Sequence, residues 1–148
     1  MTTGTAPDPA LVNAAFEQVW GSMLFTAFEP WPADTVANLG SGVQAQIELR
    51  GDWNGRIVLT CDSEVATQIA GAMLGAPAEE VLPDDDVHDA VGEVLNVVGG
   101  SVKGALGGVM SLGLPGVSET TNPPSAEDCL IISWHGAPVF VEVVPDAA

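Results

Sequence analysis

"DAVGEVLNVVGGSVKGAL" (Asp89–Leu106) is a run of small and apolar residues that contains two polar ones three positions apart, Glu93 and Asn96. Set out at about 100° per residue, Val91, Val94, Leu95, Val98, Val102 and Ala105 fall on one side of a helix. Asp89, Glu93, Asn96, Gly100 and Lys103 fall together on the other. This is the pattern of an amphipathic helix with one face in a core. It puts the Glu93 and Asn96 side chains on one face, offset by about 4.5 Å along the axis. Such a stripe is ordinarily the wet side of a helix. Two features set this one apart. An asparagine in mid-helix costs roughly a few tenths of a kcal/mol relative to alanine. Glycines at 92, 99 and 100 flank the pair, so the two polar groups are expected to stand on a low, accessible surface suited to another protein's active site.

The rest of the chain supplies a frame for this helix. Residues 1–8 read as a disordered tail, and 9–148 as a single domain. Apolar positions from Leu11 to Leu24 predict a helix from Pro9 to about Phe25, broken by "EPWPAD". "VQAQIELR" (Val43–Arg50) alternates apolar and polar without fault, "GDWNG" (Gly51–Gly55) is turn chemistry, and "RIVLTC" (Arg56–Cys61) returns, which predicts a hairpin. Asp62 or Ser63 can cap a helix that runs to about Leu74 and is closed by Gly75 and Pro77. "PDDD" (Pro83–Asp86) starts the Glu93 helix with acids at its positive end, and that helix is expected to stop near Leu106. Three strands follow at Gly116–Thr121, Asp128–His135 and Val139–Val144, with "HGAP" as a second hairpin turn and "TNPPSAED" as a loop. Hairpin strands with three helices predict an α+β fold with a mainly antiparallel sheet.

Composition removes several function classes. Three basic residues against twenty acidic ones give a formal charge of −17, which repels nucleic acid and anionic membrane surfaces. Val97–Val117 contains Lys103, many glycines and Pro115, so it is no membrane span, and no signal peptide is expected. Cys61 and Cys129 each lie in an apolar run and read as buried free thiols, which suits a reducing cytoplasm. "DDDVHD" (Asp84–Asp89) lacks the glycine and the closing acid of a calcium loop, and zinc requires more histidine or cysteine, so helix capping explains it better than a metal. No serine or cysteine stands in a nucleophile turn beside His88 or His135.

"SEVATQIAGAMLG" (Ser63–Gly75), an acidic spacer and "DAVGEVLNVVGG" (Asp89–Gly100) together resemble the CheX/CheC-type chemotaxis phosphatases. That family's signature runs Asp or Ser, three residues, Glu, two residues, Asn, and later a proline. Asp89, Glu93 and Asn96 match it in place and Pro115 in kind, and the likeness extends loosely to the first helix and to "APVFVEVVP". The resemblance implies a CheC/CheX-like fold that hydrolyses the aspartyl phosphate of a CheY-like response regulator. Glu93 would then dock against a lysine of the receiver, and Asn96 would orient the attacking water. Asp89, Gly100 and Lys103 would belong to the docking surface. The phosphorylated partner supplies the Mg²⁺, so no metal or cofactor is expected on this chain. CheC-type relatives carry two motifs. Here Glu17 in the first helix is followed three positions later by Trp20, so the resemblance implies one site per chain, the CheX kind, and with it a homodimer. The alternative is a CheX-like adaptor that binds a receiver without hydrolysis. Two features depart from the family pattern. Only eighteen residues separate Asn96 from Pro115, and the charge of −17 opposes encounter with an acidic receiver.

Overall fold

The alternation of Val43–Arg50 and the polar turn after it build the hairpin at the heart of the sheet. The computed structural model describes residues 6–31, 42–77, 80–120 and 130–146. Their order is helix α1 (Pro9–Ser22), strands β1 (Glu29–Pro30), β2 (Gly42–Gly51) and β3 (Gly55–Asp62), helices α2 (Ser63–Leu74) and α3 (Asp84–Leu106), then strands β4 (Met110–Leu112), β5 (Gly116–Thr120), β6 (Leu130–Trp134) and β7 (Ala137–Pro145). Residues 1–5 of the expected tail, the "TNPPSAED" loop, the first two residues of the expected 128–135 strand and Cys129 lie outside the described residues. Asp8, by contrast, caps α1 by accepting a hydrogen bond from the Ala10 N–H at 2.8 Å.

Among the described residues all strand pairs are antiparallel, in the order β1-β6-β7-β3-β2-β4, with β5 also pairing β2. The β2–β3 register runs from Gly42 opposite Asp62 to Leu49 opposite Gly55. Period-2 alternation therefore turns Val43, Ala45, Ile47 and Leu49 to the same face as Ile57, Leu59 and Cys61, and all seven are buried. α2 and α3 pack on β2 and β3. Val94, Leu95, Val98 and Val102 of α3 are fully buried there, each contributing about 1.5–3 kcal/mol by leaving water. α1 packs against α3, with Trp20 fully buried in edge-to-face contact with Phe16, Phe28 and Trp134. Its indole N–H donates to the Ser133 carbonyl, and the Trp134 indole donates to Gln68 Oε1.

The three helices and the antiparallel sheet match the sequence expectation, with local corrections. α1 stops at Ser22 instead of near Phe25, because Met23, Leu24 and Thr26 turn their N–H groups back onto Val19 and Trp20. The "EP" of the expected breaker is itself a strand, held by Ile132 and Ser133 of β6. The glycine-rich stretch after α3 contains β4, which pairs with Leu49–Gly51. Ala105, expected on the buried side of α3, is exposed, while Leu106 beside it packs on the core. Neither acidic start acts as a side-chain cap. Asp62 occupies the N-cap of α2 and Pro83 that of α3, without a capping hydrogen bond, so Asp84, Asp85 and Asp86 act on α3 as charges at its positive end. Gly75 closes α2 in the left-handed conformation at φ 66°. Among the described residues no helix is long and apolar enough to cross a membrane.

Candidate functional site

α3 carries the two polar residues singled out by the sequence, and the structure determines what surrounds each. Glu93 is exposed and Asn96 is half-buried. The difference lies in the neighbouring row. Gly92 and Gly99 are buried, not part of an open surface as expected, and of the three flanking glycines only Gly100 is exposed. A Cβ on Gly92 would stand 3.4 Å from Val117 Cγ2 and 3.6 Å from the Pro115 ring. On Gly99 it would stand 2.9 Å from Leu112 Cδ1 and 3.2 Å from Ile47 Cγ2. Gly99 therefore admits the sheet and β4 close to the helix axis, whereas at Gly92 a side chain would meet Val117 and Pro115 in ordinary contact. Asn96, one turn from each, stands at the border between that contact and solvent.

The eighteen residues between Asn96 and Pro115 complete a return path. The chain finishes α3 at Leu106 and turns through Gly107 and Gly108, both with positive φ. It then runs back as β4 and anchors Gly113 N–H on the Glu48 carbonyl at 2.9 Å. This brings Pro115 over Gly92, one residue from Glu93 and one turn from Asn96. The short spacing thus still delivers the proline to the motif.

The remaining stripe residues divide into two places. Asp89 and Glu93 line a groove of about 330 Å³ together with Met73, Leu74, Asp86 and Ala90. Gly100 and Lys103 line a shallow depression at the other end of α3, beside Gly104, Gly107 and Leu112. Asp89 and Lys103 are separated by about 21 Å of helix, so no single small ligand touches both. Only a surface of protein size can span both. Lys103 lies in the last turn of α3, where a cation favours the helix dipole. Asp86, Met73 and Leu74 were not singled out by the sequence. Their part in the groove depends on how α2 lies against α3, and no local signal carries that.

Other reactive groups lie elsewhere. Burial, helped by the neighbouring charge of Asp62, pushes the Cys61 thiol up to about 12, so it is an inert core residue. His135 sits on the β6–β7 turn within 3.2 Å of Thr26 Oγ1. A hollow of about 390 Å³ between α2 and that turn shares no residue with the Glu93–Asn96 stripe. Among the described residues, no three His, Cys, Asp or Glu side chains converge as metal ligands do.

Residues 43–135 match the model of a protein family described as chemotaxis phosphatase CheX. No curated protein matches this chain. Solved structures do. CheX of Vibrio vulnificus is 21% identical with a TM-score of 0.71, over 97% of this chain and 100% of that one. CheX of Desulfovibrio desulfuricans is 23% identical with a TM-score of 0.72, over 93% and 97%. The CheX–CheY–BeF3–Mg complex of Borrelia burgdorferi matches at 20% identity and a TM-score of 0.66, over 95% and 99%. At these identities the likeness establishes a shared fold.

Proposed function

The chain belongs to the chemotaxis phosphatase CheX family, and from that premise we propose that it hydrolyses the aspartyl phosphate of a CheY-like response regulator. Glu93 pairs with a lysine of the receiver, and Asn96 holds the attacking water in line with phosphorus. One observation carries the reading: Glu93 and Asn96 stand three residues apart on the outer side of a helix whose inner side is fixed to the sheet, with Pro115 packed beside them. Phosphoryl transfer requires chiefly positioning and charge stabilisation. A carboxamide offers both a donor and an acceptor, so it can hold a water molecule in one orientation. A substrate embedded in another protein's active site calls for projecting side chains, and the ridge of α3 provides them where a deep pocket would not.

In this reading the receiver brings the Mg²⁺ and the phosphorylated aspartate, and Asp89, Gly100 and Lys103 border the contact. The Borrelia burgdorferi relative was crystallised with CheY, BeF3 and Mg²⁺, which supports a partner of the same kind here. The homodimer belongs to the same proposal, and light scattering on the purified protein measures it. The deciding experiment mixes the chain with phosphorylated receivers from its own genome and follows phosphate loss. Accelerated loss that disappears in Asn96→Ala supports the reading. Tight binding with no acceleration replaces it with an adaptor.

A further inference from the structure

A second surface borders the Glu93–Asn96 pair. Asp86 stands three and four residues before Asp89 and Ala90, and Glu93 four and three after them, so the four share one side of α3 near its start. The last turn of α2 runs alongside and contributes Met73 and Leu74, and the groove of about 330 Å³ lies between. Its floor is apolar and its rim carries three carboxylates. Leu74 is 56% exposed although it is a large apolar residue. Among the described residues no cation pairs with Asp86, Asp89 or Glu93, and both ion pairs there belong to Arg50. Glu93 lines the groove and also belongs to the reactive pair, so a partner that meets Glu93 lies against the groove as well.

We propose that this groove selects the receiver. It takes a segment of the receiver surface in which an apolar side chain stands next to a lysine or arginine. The apolar group rests on Met73, Leu74 and Ala90, and the cation meets Asp86 and Asp89. The inference rests on the phosphatase reading of Glu93 and Asn96 and extends it by naming the surface chemistry the partner must carry. Charge complementarity chooses this occupant. An acidic segment would meet three unpaired carboxylates spread over about 10 Å of helix on a chain of charge −17. A wholly polar segment would leave Leu74 in water. A basic and apolar segment satisfies rim and floor together, and the field of the whole chain steers it inward. The acidity that opposes an acidic receiver then works as a filter among receivers.

The test uses the full chain with a panel of receiver domains, phosphorylated for kinetics and activated with beryllofluoride and Mg²⁺ for binding. Leu74→Ser and the double variant Asp86→Lys/Asp89→Lys should each raise KM, or Kd, roughly tenfold, with kcat changed far less. Leu74→Ser should melt as the wild type does. For the preferred receiver kcat/KM should fall as salt rises, and the double variant should flatten or reverse that slope. Unchanged KM and an unchanged salt slope in both variants, while Glu93→Ala still raises KM, overturn the groove and leave the phosphatase reading standing. A wild type that hydrolyses no receiver phosphate removes that reading instead. The groove is then upheld if the variants weaken binding of the activated receivers, and overturned if they do not.

Discussion

Gly99 and Gly100 are neighbours in α3 and opposites in environment. A side chain on the first would run into Leu112 and Ile47, whereas one on the second would meet nothing within 4 Å. Gly92 is intermediate, since a Cβ there would rest in ordinary contact with Val117 and Pro115, whereas one on Gly104 would meet nothing within 4 Å. The glycine-rich character of this helix therefore has two origins. Gly99 sets how closely α3 lies on the sheet, and with it the height and direction of the ridge that carries Glu93 and Asn96. The exposed ones hold nothing in place and lower helix propensity by up to about 1 kcal/mol each. A feature that reads as one property in the sequence is a seat on one side and an open surface on the other.

Changes on each side should separate seat from surface. The largest effect is expected at Asn96. Asn96→Ala removes the group proposed to orient the water and should cut receiver dephosphorylation roughly 10²-fold, measured as phosphate release, with circular dichroism unchanged. Next comes Gly99→Val, which forces a branched side chain against Leu112 and Ile47 and should lower stability by about 2 kcal/mol, read from urea denaturation. Glu93→Ala should weaken docking about tenfold through loss of the lysine's mate while the melting temperature holds, seen by titration with an activated receiver. Gly104→Ala, on the open side, should raise stability by about 0.5 kcal/mol, and a loss there would mean that the open side is not open.

The smallest effect at neutral pH belongs to the wall behind the seat. The folded state holds the Cys61 thiol protonated up to about 12, above its ordinary 9.0. The stability it contributes is complete below pH 9 and declines as the pH climbs towards 12. In a Cys129→Ser background, a thiol reagent should label Cys61 only as the protein unfolds.

The extent of α3 was legible because three signals agree: a run of acids, a sustained apolar period and a glycine after the last turn. The Glu93–Asn96 side was legible because helical spacing alone decides which residues share a face. The strands β1 and β4 were not. Two or three residues carry no periodicity, and both exist because β6 and β2 offer a free edge to pair with. Nor could the sequence sort the glycines, since a residue without a side chain looks the same to a helical wheel whether it faces a sheet or water. The groove was hidden for a related reason. Met73 and Leu74 reach it from a different helix, and their meeting with Asp86 and Asp89 depends on tertiary packing.

The order of the strands also fixes an order in time. The β2–β3 hairpin joins residues close in the chain, Leu49 with Gly55 and outward to Gly42 with Asp62, so it can form as soon as it leaves the ribosome. On its β3 side the neighbour is β7, made much later, with Cys61 waiting for Val139, and β1 waits likewise for β6, Glu29 for Ser133. Long loop closures of this kind slow folding. α3 rests on β2, β3, β4 and β5, all nearer to it in the chain than β7 is to β3, so the ridge that carries Glu93 and Asn96 has its support before the far side of the sheet is closed.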